Sequence, residues 1–402
     1  MKKLMLLGGS RYILPVIKEA HKLGIYVITC DYLPDNVAHK YSDEYKNISI
    51  IDKEAVLKFA QEKRIDGIMS FACDPGVTVA AYVAEEMHLP FQGSYHSVCI
   101  LQDKGLFRDF LYQNGFHVPR AKVYSNIKEA VDDIDFFKWP VIVKPVDSSG
   151  SKGVSKCDKI KELERAAEEA LAFSLKKKFI IEEFLTFKGY HSSTDIFAVD
   201  GELKFVTYSD HLFDSEADNP HTPTTIIWPT TMKKESQDYL TKELQRLMRL
   251  LGLKSGIYNV ETCVDIDNKP YIMEVSPRGG GGKIAEIQEM AYGIKLIENE
   301  IRQAVGFPVK SIVQSQCNGY WCKLVIHEEY GKSGILDHIA FKPEIESKYI
   351  KSIELAVKQG DYIKPFTGAN MSLGDIFLKF GSREELDRVV NNSKEWLRIQ
   401  LK

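Results

Sequence analysis

YNVETCVDIDNKPYIMEVSPR, residues 258–278, is the stretch that decides the fold of this chain. Apolar residues on both sides of Asp267 and Asn268 predict a tight β-hairpin with those two residues as its turn. Counting outward from the turn places Glu261 directly opposite Glu274, and a four-residue loop about the same centre keeps that pairing. The inner rungs of this register are Ile266 with Lys269, Asp265 with Pro270, and Val264 with Tyr271.

Two glutamates opposed in this way indicate a bound cation. Directly opposed residues have Cβ atoms about 4.5 to 5.5 Å apart, where like charges destabilise a sheet unless a positive charge lies between them. Two carboxylates suit Mg²⁺, which completes its coordination with phosphate oxygens and water. The alternative is an exposed edge with two solvated glutamates. The following Arg278 and the glycines of 279–282 favour phosphate chemistry, because they supply a cation and a backbone without side chains.

Composition limits the classes of function. The 402 residues are 44% hydrophobic, enough for a large core and for two to four structural units. A net charge of −3 gives no global basic field for nucleic acid or an anionic membrane, so we expect small-molecule partners. We find no apolar run of membrane-spanning length and no signal peptide in the sequence. Seven scattered cysteines without a CxxC pair suit a reducing cytoplasm.

The first hundred residues alternate strand and helix, which predicts a parallel sheet covered by helices on both faces. Asp74 ends one of these strands, and we expect it to cap the next helix with Pro75 at the first helical position. Asp31 lies about where the ribose-binding acid of a dinucleotide fold would lie. However, Gly8 and Gly9 are not followed by the remaining glycines of GxGxxG, which argues against a nicotinamide enzyme.

A second unit begins near residue 102, where DKGLFRDFLYQNG predicts a short amphipathic helix with Lys104 in its first turn. A cation there opposes the helix dipole, and an anionic ligand would offset the cost. The alternative is a solvated surface lysine. Lys144 follows on an apolar strand and needs an anionic partner, and the small-residue loop 148–153 suits phosphate oxygens or, alone, a flexible turn.

These segments together resemble the ATP-grasp enzymes. The resemblance is carried, in order, by DKGLFRDFLYQNGFHVP, PVIVKPVDSSGSKGV, IIEEFL and VETCVDIDNKPYIMEVSPR. It implies an α/β and α+β protein with a parallel-sheet domain at 1–100 and an ATP-grasp domain at 101–310, whose lid covers about 120–185. A C-terminal α+β unit at 311–402 then follows. Its last helix is predicted from a Ser382 and Glu385 capping box and runs through Leu397.

The resemblance also implies site residues, with ATP and one or two Mg²⁺ ions, or Mn²⁺, as cofactors. The expected catalytic residues are Arg278 and Lys144. The expected nucleotide-binding residues are Lys104, Lys144, Ser148, Ser149, Gly150, Ser151, Gly153, Glu182, Glu183, Phe184, Leu185 and His191. The expected metal ligands are Glu261, Glu274 and Ser276. Ser276 stands where the family usually has an asparagine ligand, which puts the second ion in doubt, and His191 replaces a usual glutamate.

Specificity is expected in residues 208–230, a long connection that either contacts substrate or forms a surface insert. Candidate substrate residues are His211, Trp228, Gly280 and Gly281. His211, Asp214, Asp218 and His221 lack the spacing of a transition-metal site.

The predicted function is an ATP- and Mg²⁺-dependent ligase that activates a carboxylate as an acyl phosphate and joins it to an amine, with an amino-acid-like substrate. A bicarbonate-activating enzyme related to carbamoyl-phosphate synthetase or to carboxylases is one alternative. A non-catalytic ATP-binding scaffold is the other. The partners are small molecules, with no nucleic acid and no membrane, and a homodimer in the cytoplasm is the predicted assembly.

Overall fold

The computed structural model of the protein describes residues 1–148, 150, 152–219 and 222–402. A parallel sheet forms first, with strand order β3-β2-β1-β4. Its strands are β1 (Lys3–Leu7), β2 (Tyr26–Asp31), β3 (Glu44–Asn47) and β4 (Gly67–Met69). Leu4 and Leu6 pack in one hydrophobic cluster while Met5 and Leu7 pack in another, because side chains alternate along a strand. Both faces are therefore covered, as predicted.

Helices cover this sheet and lead into the next unit. They are α1 (Leu14–Lys22), α2 (Lys53–Lys63), α3 (Asp74–Glu86), α4 (Tyr95–Gln102) and α5 (Lys104–Gln113). The predicted cap of α3 is wrong. The helix begins at Asp74 itself, and the Asp74 carboxylate binds Arg278 and Ser276 instead of the helix amides.

An antiparallel sheet of order β5-β8-β6-β7 follows. It contains β5 (Ala121–Tyr124), β6 (Val141–Pro145), β7 (Ser155–Cys157) and β8 (Phe179–Glu183), with α6 (Ile127–Asp132) and α7 (Leu163–Phe173). Alternate residues of β6, Val141 and Val143, pack against alanines of α7, so Lys144 takes the opposite face.

The central sheet has the order β10-β9-β13-β14 and carries the hairpin that opens the sequence analysis. Its strands are β9 (Ser192–Val199), β10 (Glu202–Phe205), β13 (Gly256–Val264) and β14 (Pro270–Ser276). Helix α8 (Lys234–Leu250) packs its Leu240, Leu244 and Leu247 against this sheet.

The predicted hairpin register is right at the glutamates and wrong inside them. Glu261 pairs with Glu274, but Val264 pairs with Pro270 rather than with Tyr271. An extra residue on β14, Met273, shifts the register between the two regions, as in a β-bulge. The connecting loop is longer than two residues, and Asn268 adopts a left-handed backbone with φ of 61°.

The last large sheet has the order β11-β12-β15-β19-β17. It combines β11 (Asp210–Phe213), β12 (Pro223–Trp228), β15 (Tyr320–Ile326), β17 (Ile350–Leu355) and β19 (Gly374–Phe380). Residues 208–230 are therefore not an irregular connection, since they supply two strands of this sheet. The prediction of a long loop, whether a substrate loop or a surface insert, is wrong for these strand residues.

A small sheet of order β18-β16-β20 lies beside it, formed by β16 (Gly334–Phe341), β18 (Tyr362–Ile363) and β20 (Leu397–Leu401). The remaining helices are α9 (Ile284–Tyr292), α10 (Leu296–Ala304), α11 (Pro343–Tyr349), α12 (Arg383–Asn391) and α13 (Ser393–Trp396). Ser382 caps α12 as predicted, by accepting from the Glu385 amide. Leu397, predicted in that helix, begins β20 instead. In the described ranges, no helix has both the length and the apolar character needed to cross a membrane.

Candidate active site

Glu274 lines a cavity, and Glu261 lies opposite it on the neighbouring strand as an exposed residue. The protein around the Glu261 carboxylate, together with the nearby Glu274 carboxylate, raises the pKa of Glu261 above its usual value. A bound cation would reverse that shift, because it stabilises both carboxylates in their charged forms.

The carboxylate pair fits Mg²⁺ chemically. The described residues contain no group of three or more His, Cys, Asp or Glu side chains that could hold a metal ion. Two carboxylates are nevertheless the typical protein contribution to a Mg²⁺ that also binds substrate phosphates. A cavity of about 300 Å³ opens beside Glu274 and is also lined by Lys104, Gln102 and Asp74, which provides room for such a ligand.

Lys104 is the first residue of α5, as predicted. Its ammonium donates to the Ser148 carbonyl at 2.7 Å and lies 3.9 Å from the Glu274 carboxylate. The Asp103 side chain begins the helix by accepting from two amides of its first turn. Lys104 therefore connects the predicted phosphate loop to the predicted metal ligands.

Lys144 has the anionic partner that its sequence context requires. Its ammonium lies 2.7 Å from Glu182, a residue of the neighbouring strand β8 that is only 1% exposed. The Nε of the buried Arg108 lies 2.9 Å from the other Glu182 oxygen, in a geometry too bent for a hydrogen bond. Burial alone would raise the pKa of Glu182, but these two cations outweigh it and hold the pKa at about 2.

Arg108 extends this cluster to the hairpin. Its Nη1 donates to the carbonyl of Met273 at 2.8 Å, the bulged residue next to Glu274. Burial lowers the pKa of Lys144, and the charges of Arg108 and Lys104 lower it further. The cluster is therefore rich in positive charge on the side that faces the glutamates, and an added anion such as a phosphate would be stabilised there.

Arg278 holds a carboxylate at the place where the sequence predicts a transferred phosphate. Its Nε and Nη2 donate to the two oxygens of Asp74 at 2.8 and 2.7 Å. This is the bidentate geometry with which arginine also binds phosphate. The Ser276 hydroxyl donates to the same Asp74 and accepts from Gln102, so any metal contact by Ser276 stays a prediction.

The glycines after Arg278 pack closely against a buried polar network. A Cβ on Gly280 would lie 2.5 Å from the Asn259 amide nitrogen, and a Cβ on Gly279 would enter the Phe71 ring. The Gly280 amide donates to the fully buried Asp195, whose pKa burial raises to about 6. These contacts fix the backbone that follows Arg278. Contact of Gly280 and Gly281 with substrate stays a prediction.

The remaining nucleotide-binding candidates follow the lid sheet. Ser149 and Ser151 lie outside the described residues, while Gly150 and Gly153 both have positive φ. Glu183 accepts from the Lys138 amide, and the Phe184 amide donates to the Pro140 carbonyl. With Leu185, these positions follow directly after Glu182 at the end of β8. Their nucleotide contacts stay predictions.

The two histidines proposed from the sequence lie together. His191 forms an isolated bridge with His211, and its ring packs 3.9 Å from Phe187. Burial lowers the pKa of His191 to about 4 and that of His211 to about 3, so both are neutral near pH 7. Trp228 has no exposed surface in β12. His211 and Trp228 are thus buried strand residues rather than loop residues open to substrate.

Three important residues were missed. Arg108 is present in the DKGLFRDFL motif, four residues after Lys104, and that helical spacing was the available signal. Asp195 had no distinguishing signal in its strand. The sequence marks Asp74 only as a helix cap, because its contact with Arg278 joins positions 204 residues apart.

Residues 137–287, which contain most of this geometry, match the family described as the ATP-grasp domain. The chain contains an ATP-grasp domain. It is 25% identical, over 98% of both chains, to a formate-dependent phosphoribosylglycinamide formyltransferase from Bacteroides thetaiotaomicron. The fold of the whole chain resembles phosphoribosylglycinamide synthetase from Anaerococcus prevotii, with a TM-score of 0.79, 23% identity and full coverage of both chains. It also resembles L-amino acid ligase from Bacillus licheniformis, with a TM-score of 0.83, 20% identity and coverage of 100% of this chain and 99% of the ligase.

The resemblance to ATP-grasp proteins and the mixed α/β fold class are therefore confirmed. So is the predicted class of enzyme, an ATP-grasp ligase. Enzymes with this domain use ATP and, in general, Mg²⁺. The domain boundaries and the roles of the individual residues remain predictions.

Proposed function

We propose that this protein uses ATP and Mg²⁺ to activate a carboxylic acid as an acyl phosphate, which an amine then attacks. The observation that carries the proposal is the opposed pair Glu261 and Glu274, which lies with the bidentate Arg278 in the residues that match the ATP-grasp domain. The Lys104 ammonium lies 3.9 Å from Glu274. Cations beside a pair of carboxylates are what phosphoryl transfer needs, since it depends mainly on positioning and charge neutralisation.

The proposed chemistry has two steps. In the first, a carboxylate oxygen of the acid forms a bond to the γ-phosphorus of ATP, and the bond from that phosphorus to the β–γ bridging oxygen breaks to release ADP. In the second, the amine nitrogen forms a bond to the acyl carbon, the carbon–oxygen bond to phosphate breaks, and the amine loses a proton. No protein nucleophile is required.

Each charged residue has a separate part in this proposal. Glu261 and Glu274 would hold Mg²⁺, which neutralises charge on the phosphates when bound. Lys104 and Lys144 would contact the phosphates of the nucleotide. Arg278 would exchange Asp74 for the transferred phosphoryl group, because both ligands suit the same bidentate geometry. A second ion would need Ser276 to give up its hydrogen bond to Asp74.

The similarity to a formate-dependent enzyme over 98% of both chains favours a small acid as one candidate substrate. Formate and bicarbonate therefore belong in the first set of acids tested, beside amino acids. A non-catalytic scaffold is the remaining alternative, and it predicts nucleotide binding without turnover.

The test is ADP release with Mg²⁺, ATP and a panel of acids, in the presence of hydroxylamine, which traps an acyl phosphate as a hydroxamate. We expect one class of acid to give hydroxamate and ADP in equal amounts. Glu261→Gln should lower this rate at least about a hundredfold, as expected for loss of a metal ligand that neutralises charge in phosphoryl transfer. Nucleotide bound with no turnover for any acid would refute the proposal in favour of the scaffold.

The homodimer is part of the same proposal. Light scattering on the purified protein separates a monomer of 45.7 kDa from an assembly of twice that mass. A mass of one chain at micromolar concentration would refute the homodimer, and it would not bear on the proposed reaction.

A further inference from the structure

Arg108 is a buried arginine on α5 that contacts two neighbouring strands. It lies four residues after Lys104, about one helical turn, and its side chain is 3% exposed. Its Nη1 donates to the Met273 carbonyl on β14 at 2.8 Å, and its Nε lies 2.9 Å from Glu182 on β8. The proposed reaction gives Arg108 no part, so its placement between these strands has another reason.

Met273 is the extra residue of the bulge in strand β14. On the side toward the turn, Ile272 pairs with Thr262. Continued as a regular ladder, that register would place Met273 opposite Glu261. The observed partner of Glu261 is Glu274, because two residues of β14 oppose one residue of β13. The bulge therefore decides which side chain lies opposite Glu261.

Core packing shows what the bulge does to Glu274. Ile272 and Val275 pack in the same hydrophobic cluster, although residues three apart in a regular strand point to opposite faces. Without the bulge, Glu274 would follow Ile272 by two positions in a regular strand and would point into that cluster. With the bulge, Glu274 takes the opposite face, pairs with Glu261 and lines the cavity. The carboxylate pair therefore depends on the position of the bulge.

Arg108 is placed to keep the bulge at Met273. A one-residue slip in register turns the side chains of a strand to the other face, and a bulge disrupts the ladder that would resist it. Such a slip would carry the Met273 carbonyl about 3.3 Å along the strand, away from the Arg108 donor. The guanidinium is fixed from its other side, because the buried Glu182 carboxylate attracts it.

A guanidinium suits these two contacts better than an ammonium does. Its planar fork presents donors in several directions, so Arg108 can face the Glu182 carboxylate and donate to a carbonyl at the same time. The ammonium of a lysine is a compact charge, and we expect it to stay beside Glu182. Glu182 also holds Lys144, so Arg108 connects the strand next to this lysine with the strand that carries Glu274.

We propose that Arg108 is a positioning residue for the metal site, which keeps Glu274 opposite Glu261 by holding the Met273 carbonyl. In this role it contacts neither metal nor nucleotide and acts through the hairpin. The inference rests on the proposed function, because it takes the two glutamates as the Mg²⁺ ligands. Groups that orient metal ligands typically contribute about 10- to 100-fold to metal affinity.

The test compares nucleotide binding with and without metal, so it needs no substrate acid. A non-hydrolysable ATP analogue is titrated into the full chain by calorimetry, once with Mn²⁺ and once with EDTA. Arg108→Lys keeps the charge beside Glu182, so we expect it to fold. This variant should bind the Mn²⁺ complex of the analogue at least about tenfold more weakly than wild type does. Its affinity for the metal-free analogue should stay within about twofold of wild type, because the charge is kept.

Arg246→Lys is the matched control. Arg246 lies on α8 and also donates through Nη1 to a backbone carbonyl, that of Asn114 at 2.8 Å, while it pairs with Glu243. Both partners lie outside the hairpin. We expect this variant to bind both forms of the analogue as wild type does. Thermal unfolding checks that each variant is folded.

Hydrogen exchange of the β14 amides gives a second readout that needs no metal. Loss of the Arg108 contact should let the bulge open more often, so we expect faster exchange over residues 270–276 in Arg108→Lys than in wild type. Exchange over β12 should be the same in both proteins. Equal exchange over β14 would show that Arg108 does not hold the bulge.

Three results of the binding experiment would overturn the proposal. They are an unchanged affinity of Arg108→Lys for the Mn²⁺ complex, an equal loss with and without Mn²⁺, and an equally selective loss in Arg246→Lys. If Mn²⁺ does not strengthen binding of the analogue to wild type, the proposed metal site and this proposal fail together. If Mn²⁺ strengthens binding but no acid gives hydroxamate, the proposed function fails alone.

Discussion

Glu182 shows how one buried carboxylate can hold two cations at the wall of a site. Its oxygens face Lys144 at 2.7 Å and Arg108 at 2.9 Å, and its side chain is only 2% exposed. The sequence indicates one half of this arrangement, because a lysine on an apolar strand needs an anionic partner. It did not indicate the third member, since an arginine on an amphipathic helix usually reaches solvent.

Removing the charge of Glu182 should destabilise the protein strongly. Glu182→Gln leaves two buried cations without their anion, and breaking a buried pair in this way costs about 3–5 kcal/mol. We expect a clear fall in the midpoint of thermal or denaturant unfolding. The matched control is Glu183→Gln. Glu183 is the next residue in the sequence, and its ion pair with the exposed Arg120 is long, at 3.7 Å. That variant should change stability by less than about 1 kcal/mol. Similar losses in both variants would contradict this account.

At the scale of elements, the predicted structure differs from the observed one in two regions, and each difference has a physical reason. The predicted pairing of Glu261 with Glu274 is right, although the inner part of the hairpin pairs one residue away from the predicted register. The extra residue of the bulge, Met273, compensates for that shift before the strand reaches Glu274. A bulge has no reliable signal in a single sequence. The sequence does not mark strands β11 and β12, because their charged connection resembles a loop and because β12 pairs with β15, whose residues lie about a hundred positions away.

Capping of α5 should matter for nucleotide binding, whereas capping of α12 should not. Asp103 accepts from the amides of Gly105 and Leu106 and thereby fixes the turn that carries Lys104. Asp103→Ala should cost about 0.5–2 kcal/mol of stability and weaken ATP binding several-fold. Ser382→Ala removes the equivalent cap of α12 at a similar cost in stability.

Nucleotide affinity, measured by calorimetry beside the unfolding midpoint, distinguishes these two variants. Ser382→Ala should bind ATP as wild type does. An unchanged affinity in Asp103→Ala would show that the first turn of α5 does not need its cap to place Lys104.

At the scale of the whole molecule, Glu300 joins separate parts of the chain. This buried residue of α10 accepts from the Ile257 amide at the start of β13 and from the Gln92 side chain before α4. Burial raises the pKa of Glu300 to about 8, and the Ile257 amide only partly opposes that shift. The carboxyl is therefore protonated in the folded protein at neutral pH.

This proton makes stability depend on pH. The folded state binds it up to about pH 8, whereas the unfolded carboxyl loses it near the ordinary glutamate pKa of 4.5. Between those values the stabilisation decreases as pH rises, by at most about 1.4 kcal/mol per pH unit. Glu300→Gln replaces the titrating carboxyl with an amide. The free energy of unfolding of the variant, relative to that of wild type, should therefore rise from pH 5 to pH 8 and stay constant above pH 8.

Denaturant unfolding from pH 5 to pH 9 measures this difference. The control is Glu168→Gln, an exposed position on α7, which should show no such trend. A constant difference between Glu300→Gln and wild type at all pH values would show that Glu300 is already charged in the folded protein.

The overall architecture was predictable because it rests on repeated local signals. Alternating strands and helices indicated the parallel sheet, and the ordered motifs indicated the ATP-grasp domain. The contacts between units were not predictable. Arg278 with Asp74, and Arg11 with Ser372, join residues far apart in sequence that carry no shared pattern.

Strand β12 pairs with β15, which is synthesised much later, and this order has a consequence on the ribosome. One edge of β12 pairs with β11, but the other waits for β15, whose first paired residue, Trp321, follows Trp228 by nearly a hundred positions. At about 5–20 residues per second, that edge stays open for roughly 5–20 s. During this interval the nascent chain exposes an apolar strand edge, a target for chaperones and for aggregation.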